Sequence, residues 1–338
     1  MEQKLKLVDS PAGPAMDFLC ERIRESEFSP LVSENVPASG ESSGLWPAQQ
    51  LELMARAGVY RWFVPQSVGG WQWSSQDIVE GYMQLGSACL TSTFVLTQRV
   101  AALKRICSSP NIELRDSLMP GLLSGEQSAT VGISHLTTSR QHTDRPALRA
   151  VPAKTPTGDG FEVVGMSPWV TGGCAATHLL MGAQLDDGEQ ILFVVSSKAD
   201  GIAVEPGFKL VGLTASQTGA VKCNSVLIPP SDIVAGPRAN VLSSLSSNST
   251  GGFQTSSLAL GLSKSAIQFI GQQSRNRSDL LVTFESLQQQ YAEIETQLKQ
   301  LAAGVGRLHQ RRITLSSQQS GFAGDSIGTG CRQGHRLR

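Results

Sequence analysis

The residues that commonly act as nucleophiles, bases or metal ligands show none of the spacings that mark well-known catalytic motifs. The sequence contains no G-x-S-x-G turn, no phosphate-binding P-loop and no G-x-G-x-x-G. There is no H-E-x-x-H, and the five histidines lack the spacing of a zinc site: His135, His142, His178, His309 and His335. No motif therefore indicates a serine hydrolase or a nucleotide hydrolase, and we predict no metal site.

Composition narrows the class of protein further. The chain has 338 residues, 40% of them hydrophobic and 17% charged, which is typical of a globular protein of two or three domains. Lys+Arg and Asp+Glu both number 28, so the neutral chain shows no overall charge for binding nucleic acid. We find no apolar run long enough for a membrane span and no secretory signal. The six cysteines form no C-x-x-C pair, so we predict reduced thiols in a cytoplasmic protein.

The pattern of apolar residues divides the chain into an N-terminal helical domain (1–125) and a middle β domain (126–240). In the first, Pro47 and Gly58 bound a predicted helix, and Ser75 is placed to cap the next. In the second, short β-branched runs alternate with turn residues. Residues 179–181 and 191–195 flank Asp186-Asp187-Gly188, which predicts a hairpin. Several short strands of this kind indicate a barrel or sandwich.

A second helical region (241–315) follows the β domain, so we predict an α+β fold. One helix is expected at about 253–273, and a second starts near Ser278. Nine apolar residues of the second helix recur in steps of four and three: Leu280, Phe284, Leu287, Tyr291, Ile294, Leu298, Leu301, Val305 and Leu308. The few complementary charges beside them favour an antiparallel bundle over a coiled coil. Residues 316–338 have no period and are predicted to be disordered.

Five short stretches match the motifs of one known enzyme family. Residues 63–70 (FVPQSVGG) are similar to its V-P-E-x-x-G-G, and residues 169–173 (WVTGG) to its W-I-T-N-G. Residues 208–218 (FKLVGLTASQT) are similar to K-x-G-x-R-x-S-x-T, residues 221–229 to V-x-F-x-x-V-x-V-P, and residues 259–261 to A-x-G. Between residues 46 and 309 the chain thus resembles the acyl-CoA dehydrogenase family of flavoproteins.

The resemblance implies an FAD-dependent oxidoreductase that acts on an acyl-CoA-type substrate, passes electrons to an acceptor and forms a homo-oligomer. In that family a carboxylate removes the α-proton of the thioester while hydride passes from the β-carbon to flavin. Trp169 would cover the flavin ring and Thr171 would hydrogen-bond its N5, since residues two apart on a strand share a face. Thr137 would contact the ring and Thr143 the pyrophosphate, with His142 in place of a family glycine.

Simpler interpretations of these residues stay open. Trp169 and Thr171 can be an ordinary buried aromatic residue and a strand threonine, and residues 137–144 can be a polar surface loop. The catalytic glutamate of most family members lies beyond the end of this chain. In others it precedes A-x-G, where residues 248–252 (NSTGG) hold no carboxylate. We therefore assign no catalytic residue and expect a C-terminally truncated or frameshifted member whose two bundle helices expose an apolar stripe.

Three functions fit the sequence. The first is acyl-thioester dehydrogenation. The second is flavin-dependent monooxygenation on the same fold, which uses oxygen and needs no glutamate base. The third is a non-catalytic homologue that interacts with other proteins through its long heptad helix.

Overall fold

The computed structural model describes residues 5–30, 45–137, 146–244 and 251–322, with side chains up to residue 304 in the last range. The helices there are α1 Pro14–Glu25, α2 Ala48–Arg56, α3 Ser75–Ala88, α4 Leu90–Cys107, α5 Ile112–Ser124, α6 Ser134–Thr137, α7 Val241–Ser244, α8 Gly251–Ser274 and α9 Leu281–Phe322. The strands are β1 Ser29–Pro30, β2 Leu45–Trp46, β3 Ala129–Gly132, β4 Leu148–Thr155, β5 Gly158–Thr171, β6 His178–Gln184, β7 Gln190–Ser196, β8 Ile202–Val204, β9 Thr218–Ile228 and β10 Ile233–Arg238. This order confirms the predicted α+β fold.

The N-terminal helices pack around large buried aromatic side chains. Trp62 is fully buried and stacks on Trp73 with ring centroids 4.1 Å apart. Its indole N–H donates to the Val8 carbonyl, so the polar atom of this buried ring is satisfied. Helix α3 is capped by Ser74, whose hydroxyl accepts from the backbone N–H of Asp77 at 3.1 Å. The predicted cap, Ser75, is instead the first helical residue.

Eight strands of the middle domain join into one sheet in the order β10-β7-β6-β4-β5-β9-β8, with β3 parallel to β6. The predicted hairpin is confirmed as the antiparallel pair β6 and β7. Strands β5 and β9 are antiparallel and lie in register at their ends, where Thr171 pairs with Thr218. Apolar side chains from these strands form one buried cluster, while β3 contributes to the core of the N-terminal helices. The pairing with β9 therefore fixes the position of Thr171 in the sheet.

The C-terminal helices pack against α3. Leu298 and Ala302 of α9 are buried with Val79 and Met83 of α3 and Leu260 of α8. The heptad set is only partly buried, because Ile294 and Leu301 are exposed. Helix α9 continues to Phe322, past Leu315, where the sequence pattern predicted its end, and residues 323–338 lie outside the described part of the chain. None of the described helices is both long and apolar enough to cross a membrane.

Candidate functional site

Trp169 and Thr171 share one face at the end of β5. Val170 between them is part of the buried cluster of the β domain, just after a register shift in the β5–β9 pairing between Ser167 and Val170. The Trp169 side chain is 53% exposed, so it is not the ordinary buried aromatic residue that the sequence left open. Thr171 is 6% exposed and lies at the inner edge of the same face. The strand thus presents an open indole beside a sheltered hydroxyl.

Phe208 fixes the orientation of the Trp169 ring. The two rings meet edge to face, with centroids 5.0 Å apart and an interplanar angle of 68°. The backbone N–H of Phe208 donates to the carbonyl of Thr218 at 2.8 Å, which ties this exposed aromatic residue to the start of β9. The indole is therefore supported by Phe208 while more than half of its residue surface stays exposed.

Hydroxyl groups surround Thr171. Its Oγ1 lies 2.9 Å from Oγ1 of Thr218, which in turn lies 2.8 Å from Oγ of Ser216. The Thr130 hydroxyl donates to the backbone carbonyl of Thr171 at 2.7 Å. All four residues are buried, so these hydrogen bonds hold both the backbone and the side chain of Thr171 in place.

A short segment of the N-terminal domain clamps the strand end. Trp46 of β2 packs over Gly172, where a Cβ would lie 2.6 Å from the indole, and Gly172 has a left-handed φ of 65°. The amide of Gln217 donates to the Leu45 carbonyl at 3.1 Å, and the N–H of Gly172 donates to the Gln217 carbonyl at 3.1 Å. The Arg99 guanidinium also lies over the Trp46 ring, 5.9 Å from its centroid. The glycine after Thr171 is thus required by both backbone conformation and packing.

A small, partly open pocket lies beside this clamp. Its lining residues come from the N-terminal helices and from the start of β3: Tyr60, Arg99, Leu103, Leu122, Gln127, Ser128 and Ala129. Arg99 also donates to the Tyr60 hydroxyl at 3.1 Å. The pocket shares Arg99 with the clamp, but Trp169 and Thr171 do not line it.

Among the described residues, no acidic side chain is bonded into the site. In the described part of the chain, no hydrogen bond or ion pair joins an aspartate or glutamate to Trp169, Thr171 or Thr218. Glu205, near this end of the sheet, forms an ion pair with Lys222 at 2.7 Å. Burial raises the pKa of the Cys174 thiol to about 11, so it is protonated at neutral pH and is a poor nucleophile.

Of the four residues predicted to contact a cofactor, the structure places two. Trp169 and Thr171 lie together as described above, whereas the Thr137 side chain and all of Thr143 lie outside the described residues. Sequence reasoning did not assign a role to Phe208, Ser216 or Thr218, although all three lie in the stretch 208–218 that resembles a family motif. The resemblance of this stretch to a family motif could therefore have identified these three residues as candidates for the site.

Solved structures with the same arrangement of domains decide the fold. Butyryl-CoA dehydrogenase from Megasphaera elsdenii matches with a TM-score of 0.67 and 16% identity, over 86% of this chain and 77% of that chain. The chain has the acyl-CoA dehydrogenase fold. Dibenzothiophene monooxygenase from Paenibacillus sp. A11-2 shares the fold with a TM-score of 0.66 and 16% identity, over 87% and 74% of the two chains.

A third structure of this fold was solved with a cofactor. Acyl-CoA dehydrogenase complexed with FAD from Bacillus anthracis matches with a TM-score of 0.63 and 17% identity, over 77% of this chain and 44% of that chain. No model of a protein family matches the sequence, and no curated protein matches it. At these identities the comparisons establish the acyl-CoA dehydrogenase fold, and the chemistry has to be argued from the site.

The residues at the end of β5 fit a flavin. An aromatic ring more than half exposed, as Trp169 is, offers a flat apolar surface to a planar ligand. The three hydroxyls of Ser216, Thr218 and Thr171 are linked by two contacts, so one of their three protons is left for a further acceptor. A flavin ring presents both a flat face and acceptor atoms.

Proposed function

We propose that this chain is an FAD-dependent oxidoreductase that introduces an α,β double bond into an acyl thioester. The observation that carries the proposal is the exposed indole of Trp169 beside the Thr171 hydroxyl, at a clamped strand end in the acyl-CoA dehydrogenase fold. The structures of butyryl-CoA dehydrogenase and of the FAD-bound acyl-CoA dehydrogenase support the choice of substrate class and cofactor.

Each residue of the site has a task in this proposal. Trp169 packs against one face of the flavin and excludes water from it, while Thr171 donates a hydrogen bond to the ring. Trp46 and Gly172 hold the strand end still, which keeps both contacts in fixed geometry. Bound FAD supplies the redox chemistry by accepting a hydride from the β-carbon of the substrate. Thr137 and Thr143 remain our candidates for contacts with the ring and the pyrophosphate.

Flavin-dependent monooxygenation is the second candidate. A specific observation favours it: in the described residues no carboxylate is bonded to the Trp169–Thr171 site, and oxygen chemistry needs no such base. The dibenzothiophene monooxygenase of the same fold was solved with FMN and indole bound. A non-catalytic role as an interaction protein is the third candidate, and flavin binding would argue against it.

The remaining partners follow from the same proposal. A reduced flavin has to be reoxidised, so we propose an electron acceptor besides the acyl-CoA-type substrate. Exposed apolar residues on the C-terminal helices, including Phe269 and Leu301, favour a homo-oligomer. The reduced state of the cysteines that we predict is consistent with a cytoplasmic location.

The visible absorbance spectrum of the purified protein tests the proposal. We expect a flavin band, present on purification or after FAD is added, with a stoichiometry near one per chain. The matched control is Trp169→Ala, which we expect to weaken the band without unfolding the protein. An absence of flavin binding in the parent protein would overturn the proposal and favour the non-catalytic role.

Turnover then separates the two flavin reactions. Reduction of bound flavin by a straight-chain acyl-CoA under anaerobic conditions would support dehydrogenation. Uptake of oxygen by the reduced protein, coupled to hydroxylation of an aromatic heterocycle such as indole, would support monooxygenation instead. Reduction of the flavin by acyl-CoA does not require oxygen, so loss of flavin absorbance and uptake of oxygen can be measured separately.

A further inference from the structure

The hydroxyls of Ser216, Thr218 and Thr171 form a chain that begins in the protein interior and ends at the Trp169 face. Ser216 is fully buried, Thr218 is 7% exposed and Thr171 is 6% exposed. The two contacts of the chain measure 2.8 Å between Ser216 and Thr218 and 2.9 Å between Thr218 and Thr171. Both lengths are typical of good hydrogen bonds between hydroxyls.

Proton counting limits how this chain can be ordered. Each hydroxyl donates one proton, so two contacts use two protons and one remains. If the chain donates from Thr171 toward Ser216, the remaining proton lies on Ser216 in the interior. If both ends donate to Thr218, the remaining proton lies on Thr218. In the described part of the structure no further acceptor faces either hydroxyl, and a buried unpaired donor is costly.

The third order leaves the remaining proton on Thr171. Ser216 then donates to Thr218, Thr218 donates to Thr171, and the Thr171 hydroxyl points its proton out of the chain. This end lies beside the exposed Trp169, where a ligand can accept the proton. In this order neither Ser216 nor Thr218 keeps an unpaired proton in the interior.

We infer that Ser216 and Thr218 are positioning residues that orient the Thr171 hydroxyl as a hydrogen-bond donor toward a ligand on the Trp169 face. The inference rests on the proposed function for the identity of that ligand, a flavin whose oxidised ring nitrogen accepts a hydrogen bond. Thr218 does not touch the ligand in this arrangement, and it acts only through Thr171.

Stability of the protein without ligand tests the order of the chain. Thr218→Val leaves the Ser216 proton buried and unpaired, whereas Ser216→Ala removes only a donor to Thr218 and leaves no additional proton unpaired. We therefore expect Thr218→Val to lower the urea midpoint of unfolding more than Ser216→Ala does. Adding Ser216→Ala to Thr218→Val should recover part of the loss. The reverse ranking, without recovery, would overturn the inferred order.

Flavin titration tests the effect on the site. We expect Thr218→Val to weaken FAD binding roughly threefold to tenfold and to shift the visible band, and Thr218→Ser to restore both, since serine keeps the hydroxyl. Thr214→Val is the matched control, because the Thr214 hydroxyl of the same turn donates to the Leu210 carbonyl outside the chain. If the parent protein binds FAD and Thr218→Val binds it unchanged, the inference fails while the proposed function stands. If the parent protein binds no FAD, the proposed function fails as well.

Discussion

Trp169 in the β domain and Leu301 on α9 are exposed to a similar degree, 53% and 61%, but their surroundings differ. The strand that carries Trp169 is held by hydrogen bonds to Thr130 and Gln217 and by packing of Trp46 on Gly172. Leu301 lies on a helix whose buried residues in the described part, Leu298 and Ala302, pack against α3 and α8.

The difference separates two uses of exposed apolar surface. A planar ligand needs a rigid face whose geometry is set before binding, and the clamped end of β5 provides one. A repeated row of exposed apolar residues along a helix is instead typical of surfaces that pack against another helix. We therefore propose small-molecule binding for the first region and self-association for the second.

Two tryptophans give the largest expected contrast. Trp62→Ala should lower the free energy of unfolding by about 3–5 kcal/mol, because the ring is fully buried and stacked on Trp73. Trp169→Ala should lower it by about 1 kcal/mol at most, yet weaken flavin binding on the order of tenfold. Urea unfolding and FAD titration of both variants check the contrast. Equal losses of stability would mean that Trp169 is a packing residue rather than a ligand surface.

Two glycines test the clamp. Gly172→Ala should lower the free energy of unfolding by about 2–4 kcal/mol, since a Cβ there meets Trp46 and the backbone has a left-handed φ. Gly212→Ala is the matched control, because no atom lies within 4 Å of its Cβ position. We expect the first variant, but not the second, to lose FAD binding in the same titration. A Gly172→Ala protein as stable as Gly212→Ala would contradict the clamp.

The two regions also differ in how much of them the sequence could predict. The shared face of Trp169 and Thr171 was predicted from strand alternation, which is a local property, but the register shift beside Trp169 was not. The contact between Thr171 and Thr218 joins residues 47 positions apart and depends on the register of β5 and β9, which no local pattern fixes. The exposure of Trp169 depends in turn on which elements cover that end of the sheet.

For α9 the pattern predicted the element but not its environment. A heptad marks two adjacent rows of apolar residues, and with only two C-terminal helices an apolar stripe was expected to stay exposed, although the pattern did not say which residues would form it. The structure buries Leu298 against α3 and α8 and leaves Ile294 and Leu301 exposed, since those two helices cover only one side of α9. Periodicity gives the apolar face of a helix, whereas the number of neighbours is a property of the whole fold.

The buried Cys223 thiol on β9 has a smaller, pH-dependent effect on the free energy of unfolding. Burial raises the pKa of Cys223 to about 12 from the ordinary 9.0, so the folded protein keeps this proton to higher pH than the unfolded chain. The contribution of this thiol to the free energy of unfolding is fully present below pH 9 and falls as the pH rises from 9 toward 12.

We therefore expect the free energy of unfolding of Cys223→Ala to fall less steeply above pH 9 than that of the parent, by up to about 1.4 kcal/mol per pH unit. Urea unfolding at intervals from pH 7 to 11 measures both slopes. The curves of unfolding free energy against pH should be parallel for the two proteins below pH 9, which serves as the internal control. Parallel curves up to pH 11 would show that the thiol is not protected by burial.

The smallest expected change in stability tests the C-terminal helices. Phe269→Gln combined with Leu301→Gln should change the free energy of unfolding by less than about 1 kcal/mol, because both side chains are exposed. The same pair should lower the mass measured by light scattering, since it removes apolar surface that favours self-association. Leu298→Gln, on the buried side of α9, should instead cost about 2–5 kcal/mol and is the matched control.

The two measurements together decide what the exposed row of α9 does. If the parent protein is a stable monomer by light scattering, the row has no partner in solution and the homo-oligomer is wrong. If the parent is an oligomer and the double variant keeps the same mass, the subunits meet through another surface. Loss of the oligomer with unchanged FAD binding would show that the Trp169 site is complete within one chain. Loss of both would show that the site depends on the neighbouring subunit, and the separation of the two regions would fail.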